Sequence, residues 1–277
     1  MHGVAPPCII EVALNGATTR AINPHVPHTP AEITADALAC VAAGASIVHN
    51  HDDEPMWVDD GVHAAAPYIE AWRPVLAEHH DVLFYATQAS GGPGITIETR
   101  WAHHIELASL TRLALVDPGS VSLGGDRVYL NTHDDAAYGF DRCAELGLIP
   151  SVSIFDPSFL RAALDLGLPQ RSIVKFYLGG PVMPFGLPPT EASLDAYLAM
   201  LDDHAPWLVA VLGGDVIESG LAELALARGG HLRVGLEDYA GPRTPRNVEL
   251  VREAAALIER TGRRVATPAE TRTLLDA

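Results

Sequence analysis

The chain has 277 residues, 48% of them hydrophobic, and a formal net charge of -17 at pH 7. That length and apolar content permit a large buried core and exclude a mainly disordered chain, and the scattered acids exclude a general surface for nucleic acid or anionic membranes. Three cysteines, Cys8, Cys40 and Cys143, show no CxxC spacing, so neither a disulfide framework nor a cysteine-rich zinc site is expected and the reducing cytoplasm is the simplest compartment.

In chain order, the opening MHGVAPPC lacks a basic segment followed by a long apolar stretch, and no later run approaches the roughly 20 apolar residues that span a bilayer, so neither export nor a membrane role is expected. Short apolar, β-branched runs then recur: CIIEVAL (8–14), SIVHNH (46–51), VLFYAT (82–87), LALV (113–116), SVSIF (151–155), SIVKFYL (172–178), WLVAVL (207–212) and LRVGLE (232–237). They read as strands buried on both faces. Between them lie segments with helical spacing, among them AEITADALACVAAG, EASLDAYLAMLDDH and RNVELVREAAALIERTG. TPAE occurs at 29–32 and again at 267–270, each giving a threonine N-cap, proline at the first helical position and glutamate three residues on. Both are capping boxes, and since their surroundings differ they do not indicate internal symmetry. Eight strands alternating with helices over this length predict an α/β fold, a single (β/α)8 TIM barrel over 1–277 with a C-terminal helical extension.

The sequence lacks GxGxxG between a strand and a helix, a GxxxxGK[ST] loop and a GxSxG elbow. GGPG (91–94) and LGG (178–180) read as loops after strands. VHNHDDEP (48–55) is more informative. Residues i and i+2 of a strand face the same way about 6.5 to 7 Å apart, so His49 and His51 can converge on one metal ion while Asn50 points away. In a barrel, the C-terminal end of a strand is the active face. Thirteen histidines occur in the chain, and pairs such as His79–His80 and His103–His104 set the background against which an H-x-H is weighed. The third ligand is sought in HLRVGLEDY, where Glu237 and Asp238 end the last strand after Arg233. The first strand is flanked by the second and the eighth in such a barrel. Two histidines and a carboxylate leave an open position typical of catalytic zinc, and the same set also suits redox-active iron. Adjacent acids equally read as a solvated strand end.

These residues resemble the β-keto acid cleavage enzymes, zinc-dependent (β/α)8 barrels. The likeness runs through most of the chain, carried by ALNGATTR, TPAEI, AGASIVHNH, NTHDDA, FYLGG, GGHLRVGLEDY, RNVELV and TGRRVATPAETRTLL. It implies zinc (Zn2+) held by His49, His51 and Glu237, with Asp238 and Arg233 as a catalytic pair. It further implies that a β-keto acid, activated at its α-carbon, reacts with acetyl-CoA to give acetoacetate and a new acyl-CoA, in a homotetramer. Thr18 stands where the family's type member has a glutamate that meets the substrate amine, and Ala86 where it has a serine. Thr87 and Ser109 keep hydroxyls near family pocket positions.

The sequence departs from the family two residues after H-x-H, where an arginine is usual and Asp53 stands, preceded by Asp52. Near the end of the seventh strand, GGDVIE puts Asp215 or Val216 where relatives carry arginine. These acids either line a pocket that selects a cationic β-keto acid, with Asp53 contacting substrate, or are solvated. CoA phosphates need local positive charge, for which Arg20, Arg100, Arg112, Arg127 and Arg243 are candidates. The competing readings are a metal-dependent hydrolase or aldolase on the same barrel, an iron oxygenase, and a metal-binding barrel without the family reaction.

Overall fold

The computed structural model describes residues 6–52, 62–90, 94–124, 126–201 and 205–276. Helix α1 (Pro30–Ala42) follows strand β1 (Ile10–Ala13), and the pattern continues through β2 (Ile47–Asn50), α2 (Ala65–Glu78), β3 (Leu83–Ala86), α3 (Ile97–Leu107) and β4 (Leu113–Val116). An antiparallel hairpin, β5 (Val121–Gly124) and β6 (Arg127–Tyr129), interrupts it before α4 (His133–Leu146). Then come β7 (Ile149–Ile154), α5 (Pro157–Asp165), β8 (Ile173–Gly179), α6 (Glu191–Leu201), β9 (Trp207–Leu212), α7 (Leu221–Ala227) and β10 (His231–Val234). Helices α8 (Asn247–Arg260) and α9 (Pro268–Asp276) complete the described chain.

The eight long-sheet strands run in the order β3-β2-β1-β10-β9-β8-β7-β4, every adjacent pair parallel. The end strands β3 and β4 pack against each other, so the sheet is nearly closed, and the Thr111 hydroxyl donates to the Phe84 carbonyl across that seam. With helices around it, this is a (β/α)8 barrel, and all eight sequence-predicted strands are present. Strand alternation divides the core in two. Outward residues such as Val12, Val48, Phe84, Val152, Phe176 and Val209 join the helical layer, whereas Ile9, Ile47, Leu83, Leu113, Ile149, Ile173 and Leu208 fill the barrel's N-terminal end.

Both TPAE boxes form. Thr29 accepts from the Glu32 N–H at 3.3 Å while Glu32 accepts from the Thr29 N–H at 3.0 Å, and Thr267 and Glu270 reproduce the pair at the start of α9. Helix α9 places Leu275 and Leu274 against the N-terminal barrel layer and ties Thr271 to Ser46 at 2.8 Å, closing the end opposite the strand C-termini. Cys8, Cys40 and Cys143 are free and buried. No helix among the described residues is long and apolar enough to cross a membrane.

The eighth predicted strand is shorter than LRVGLE. Beyond Val234, Gly235 has φ of 139°, and a Cβ there would lie 2.0 Å from the Ala13 carbonyl oxygen. The backbone turns on this glycine, as a strand-interior glycine often signals.

Candidate metal centre and cavity

His49 faces into the barrel from β2, in register with Ala13 of β1 and Tyr85 of β3, and His51 follows one residue past the strand. Asn50 points outward, accepting from Trp72 Nε1 at 2.8 Å. His49 Nδ1 lies 3.1 Å from the Tyr85 carbonyl and its ring stacks on Tyr85 at 4.4 Å. A carbonyl can only accept, so Nδ1 carries the proton and the Nε2 lone pair is left free for a ligand. Burial pushes the His49 ring down to about 4, keeping it neutral. Asn15 fixes the backbone of His51, its Oδ1 accepting from the His51 N–H at 2.8 Å and its Nδ2 donating to the His51 carbonyl at 3.3 Å.

Glu237 reaches this pair through the Gly235 turn rather than by strand alternation. Its Oε2 lies 3.2 Å from His49 Nε2 and its Oε1 3.5 Å from His51 Nε2. One donor atom from each of the three residues falls within 4.8 Å of the others. Gly16, at φ 55°, lies under the Glu237 side chain, and a Cβ there would come within 2.2 Å of Glu237 Cγ. His51 is buried, yet neither ring nitrogen makes a hydrogen bond among the described residues. Buried polar atoms rarely stay unpaired, and two imidazoles beside a carboxylate are the donor set of a divalent transition metal. The residues present therefore fit such an ion.

Behind Glu237 runs a buried charge network. Arg233 binds Asp238 with two hydrogen bonds, Nε to Oδ2 at 2.8 Å and Nη2 to Oδ1 at 3.0 Å, and its Nη2 lies 3.2 Å from Glu237 Oε1. Nη1 donates to Glu11 Oε1 and to the Tyr85 hydroxyl, each at 2.9 Å. Tyr85 in turn donates to Glu11 and accepts from Lys175 Nζ at 2.9 Å. Burial acts upward on Glu237, but Arg233, His49 and His51 outweigh it and hold the carboxyl well below the usual range. Burial prevails at Asp238, pushing it up to about 6 against the pull of Arg233.

The centre opens on a cavity of about 250 Å³ whose lining includes His49, His51, Glu237, Asp238, Thr18, Thr87 and Lys175. Thr18 donates to the Leu236 carbonyl at 2.7 Å, and the Thr87 carbonyl takes a 2.7 Å hydrogen bond from His103 Nε2. Arg233 does not line this cavity, so it stands behind the two carboxylates. Ser109 is not brought to the site. It is exposed in the turn between α3 and β4, and a turn that leads into a strand lies at the opposite end of the barrel from the cavity. Ala86 faces the helical layer. Asp53 lies outside the described residues.

Asp52 is neither solvated nor in the cavity lining. It is buried, with Oδ2 2.9 Å from His63 Nδ1 and its N–H donating to the Tyr68 hydroxyl at 3.1 Å. Asp215 also lies off the cavity, where its Oδ1 accepts from the N–H groups of Ile217 and Glu218 at 2.8 and 3.1 Å. Among the arginines considered for CoA, Arg100 is buried on Asn131 and the Ala89 carbonyl, and Arg112 pairs with Asp276 beside the N-terminal end. Arg20 and Arg243 follow the C-terminal ends of β1 and β10, paired with Glu32 and Glu253. Glu11, Lys175, Tyr85 and Asp117 are absent from the sequence-based set. Charged residues inside the apolar runs CIIEVAL and SIVKFYL are the signal that finds two of them.

Fold and cluster together define a (β/α)8 barrel with a candidate His2–carboxylate metal centre at the strand ends that form the catalytic face. The chain belongs to the β-keto acid cleavage enzyme family, whose model matches residues 7–276. It is 30% identical over 280 residues to a 3-keto-5-aminohexanoate cleavage enzyme of Fusobacterium nucleatum subsp. nucleatum, covering 96% of this chain and 97% of that protein. It is also 30% identical over 285 residues to a 3-oxoadipate:acetyl-CoA acetyltransferase of Cupriavidus necator, covering 97% and 94%, and 26% identical over 295 residues to a 3-dehydrocarnitine:acetyl-CoA trimethylamine transferase of Rhizobium meliloti, covering 95% and 94%. The apo structure of ObcA superposes with a TM-score of 0.75 at 17% identity. That match covers 91% of this chain and 66% of ObcA, and it supports the shared fold.

Proposed function

We propose that this protein is a zinc-dependent enzyme that condenses a β-keto acid with acetyl-CoA, giving acetoacetate and a new acyl-CoA. The observation that carries the reading is the convergence of His49, His51 and Glu237 with Asp238 on one cavity of a family member. In this reading His49, His51 and Glu237 hold the ion. When bound, the ion supplies a Lewis acid for the substrate's oxygen atoms. Asp238 takes the proton from the α-carbon, and its position one residue beyond Glu237 puts the base beside the metal ligands. Arg233 acts from behind, its two hydrogen bonds fixing the Asp238 carboxylate. Thr18 and Thr87 lie on the cavity wall as hydrogen-bonding groups for substrate, and Arg20, Arg127 and Arg243 are basic residues offered to CoA phosphates.

The relatives' names carry amino, carboxylate and trimethylammonium groups on the substrate at 26–30% identity, so likeness alone does not choose among them. The cavity wall supports a choice. Leu115, Val121, Leu123, Phe155, Phe185 and Leu212 make much of the wall apolar, beside the polar Asp117, Ser153 and Lys175, which favours a β-keto acid whose distal group is largely apolar. With Asp52 and Asp215 off the lining, the case for a cationic substrate loses two of its three residues. Cytoplasmic location and a homotetramer are part of the proposal, and the exposed Val128 and Leu130 on and beside β6 favour association.

The test is to incubate metal-loaded protein with acetyl-CoA and a panel of β-keto acids bearing apolar, cationic and anionic ends. Acetoacetate formation that needs both substrates, fastest with apolar ends, is expected. Turnover without CoA would replace this reading with a hydrolase or aldolase, and no turnover with any member would leave a metal-binding barrel.

A further inference from the structure

One side chain in the cavity has no part in the proposed reaction. Of the chain's 18 lysines and arginines, only Lys175 is a lysine. Everywhere else that a cation is used, even at the buried Arg100, Arg233 and Arg263, the residue is arginine. A need for positive charge alone therefore does not account for Lys175. What lysine offers and arginine does not is a nitrogen that can lose its proton and act as a nucleophile.

Its placement suits that chemistry. Lys175 lies on the inner face of β8, is fully buried, and lines the same cavity as the candidate metal ligands. It is the only lysine or arginine among the described residues of that lining. Its Nζ donates to the Tyr85 hydroxyl at 2.9 Å, and Tyr85 stacks on His49, so one side chain separates the amine from the candidate metal centre. Ser153 is its in-register neighbour on β7. Asp117 also lines the cavity, accepting from the Tyr129 hydroxyl through Oδ2 while its buried Oδ1 has no hydrogen-bond partner among the described residues.

We propose that Lys175 condenses with the keto group of a β-keto acid to form an imine, giving the barrel a second, metal-independent activity that decarboxylates β-keto acids to ketones. Burial pushes the ammonium down to about 8 against Glu11 and Asp117, which favour the charge, with Arg233 acting in the same direction as burial, so a neutral amine is accessible near neutral pH. Burial also raises the Asp117 carboxyl, which suits a proton donor. The amine adds to the carbonyl carbon, a proton moves from nitrogen to oxygen, and water leaves with a proton from Asp117, giving the iminium. The bond to the carboxylate then breaks, CO2 departs, and the electron pair flows to the iminium nitrogen to leave an enamine. Protonation at carbon and addition of water release the ketone and restore the amine. The net change consumes one β-keto acid anion and one proton and gives one ketone and one CO2.

The proposal takes only its substrate class from the cleavage reading, and it is tested without metal or CoA, so either can fail alone. Chelator-treated full-length protein is incubated with acetoacetate and sodium cyanoborohydride, then digested and mapped by mass spectrometry. The amino terminus is the only other primary amine on the chain, so the site of an adduct is unambiguous. The expected result is one N-isopropyl group on Lys175, with acetone released above the spontaneous rate and that excess lost in Lys175→Arg. A Lys175 peptide that stays unmodified, or acetone release unchanged in a folded Lys175→Arg variant, overturns the proposal. If that variant does not fold, the peptide map of the unaltered protein decides the matter.

Discussion

The charge network beneath the centre makes a quantitative prediction at Glu11 and Lys175. Glu11 is fully buried and its Oε1 accepts from Arg233 and Tyr85. Burial acts upward on its carboxyl, but Lys175, followed by Arg233, outweighs it and lowers the group. Removing one member of a buried ion pair costs about 3–5 kcal/mol when the remaining charge has no other partner. Here the cost of Glu11→Gln is smaller, because Arg233 keeps both oxygens of Asp238 and the glutamine retains an acceptor oxygen. About 2–3 kcal/mol is expected, the usual value of a charge-assisted buried hydrogen bond. Lys175→Met should cost a similar amount, since Arg233 is then the remaining cation acting on Glu11. In the double variant neither charge is stranded, so the combined loss should fall short of the sum of the single losses by about 1–3 kcal/mol. The measurement is urea unfolding of all four proteins at pH 7, where Lys175, lowered to about 8, is mainly protonated. Losses that add to within about 0.5 kcal/mol would show that the two groups do not sense each other, and the network described above would be wrong.

Three further outcomes follow from the same geometry. Gly16→Ala puts a Cβ at a positive φ and 2.2 Å from Glu237 Cγ, so metal retention measured by chelator competition should fall about 10–100-fold while the barrel stays folded; unchanged affinity contradicts the placement of Glu237. Burial, followed by Arg263, pushes His231 down to about 3, and its Nδ1 accepts the Ile9 N–H at 3.1 Å. The unfolded chain binds that proton first, so this contribution is complete above the ordinary histidine pKa near 6.5 and is lost as pH falls from there towards about 3. The loss is on the order of 5 kcal/mol and should be missing from the acid-unfolding profile of His231→Gln; parallel profiles refute it. Leu123→Glu places a carboxylate in the apolar wall and should lower kcat/KM for apolar β-keto acids by about 10-fold or more relative to cationic ones, whereas an unaltered ratio argues that the substrate lies elsewhere in the cavity.

Much of this molecule is legible in its sequence because the barrel repeats one simple pattern. Each strand is an apolar run with few ambiguities, and both TPAE segments cap helices through the reciprocal bonds their spacing implies. The H-x-H pair converges for the period-two reason, and the Asn50 contact with Trp72 shows the intervening residue facing outward. Where sequence reasoning fails, the missing information is three-dimensional. Ser109 carries a suitable hydroxyl, but residue type does not say which end of the barrel a turn occupies. The partner of Asp52 is His63, eleven residues further along the chain, so no local pattern distinguishes a buried acid from a solvated one there. Hairpin β5–β6 is too short and too exposed on β6 to give a periodic signal, yet Val121, Leu123 and Tyr129 form part of the cavity wall. Arg233 and Glu237 meet because Gly235 breaks the strand.

The central claim, metal-dependent transfer of an acetyl group onto a β-keto acid, is tested most directly by following the label from acetyl-CoA carrying 13C in its acetyl group. Metal-loaded protein given that acetyl-CoA and an unlabelled apolar β-keto acid should produce acetoacetate labelled in its acetyl half together with an unlabelled acyl-CoA, and the chelated protein should produce neither. Acetoacetate without label, or labelled product in equal yield after metal removal, would contradict the account.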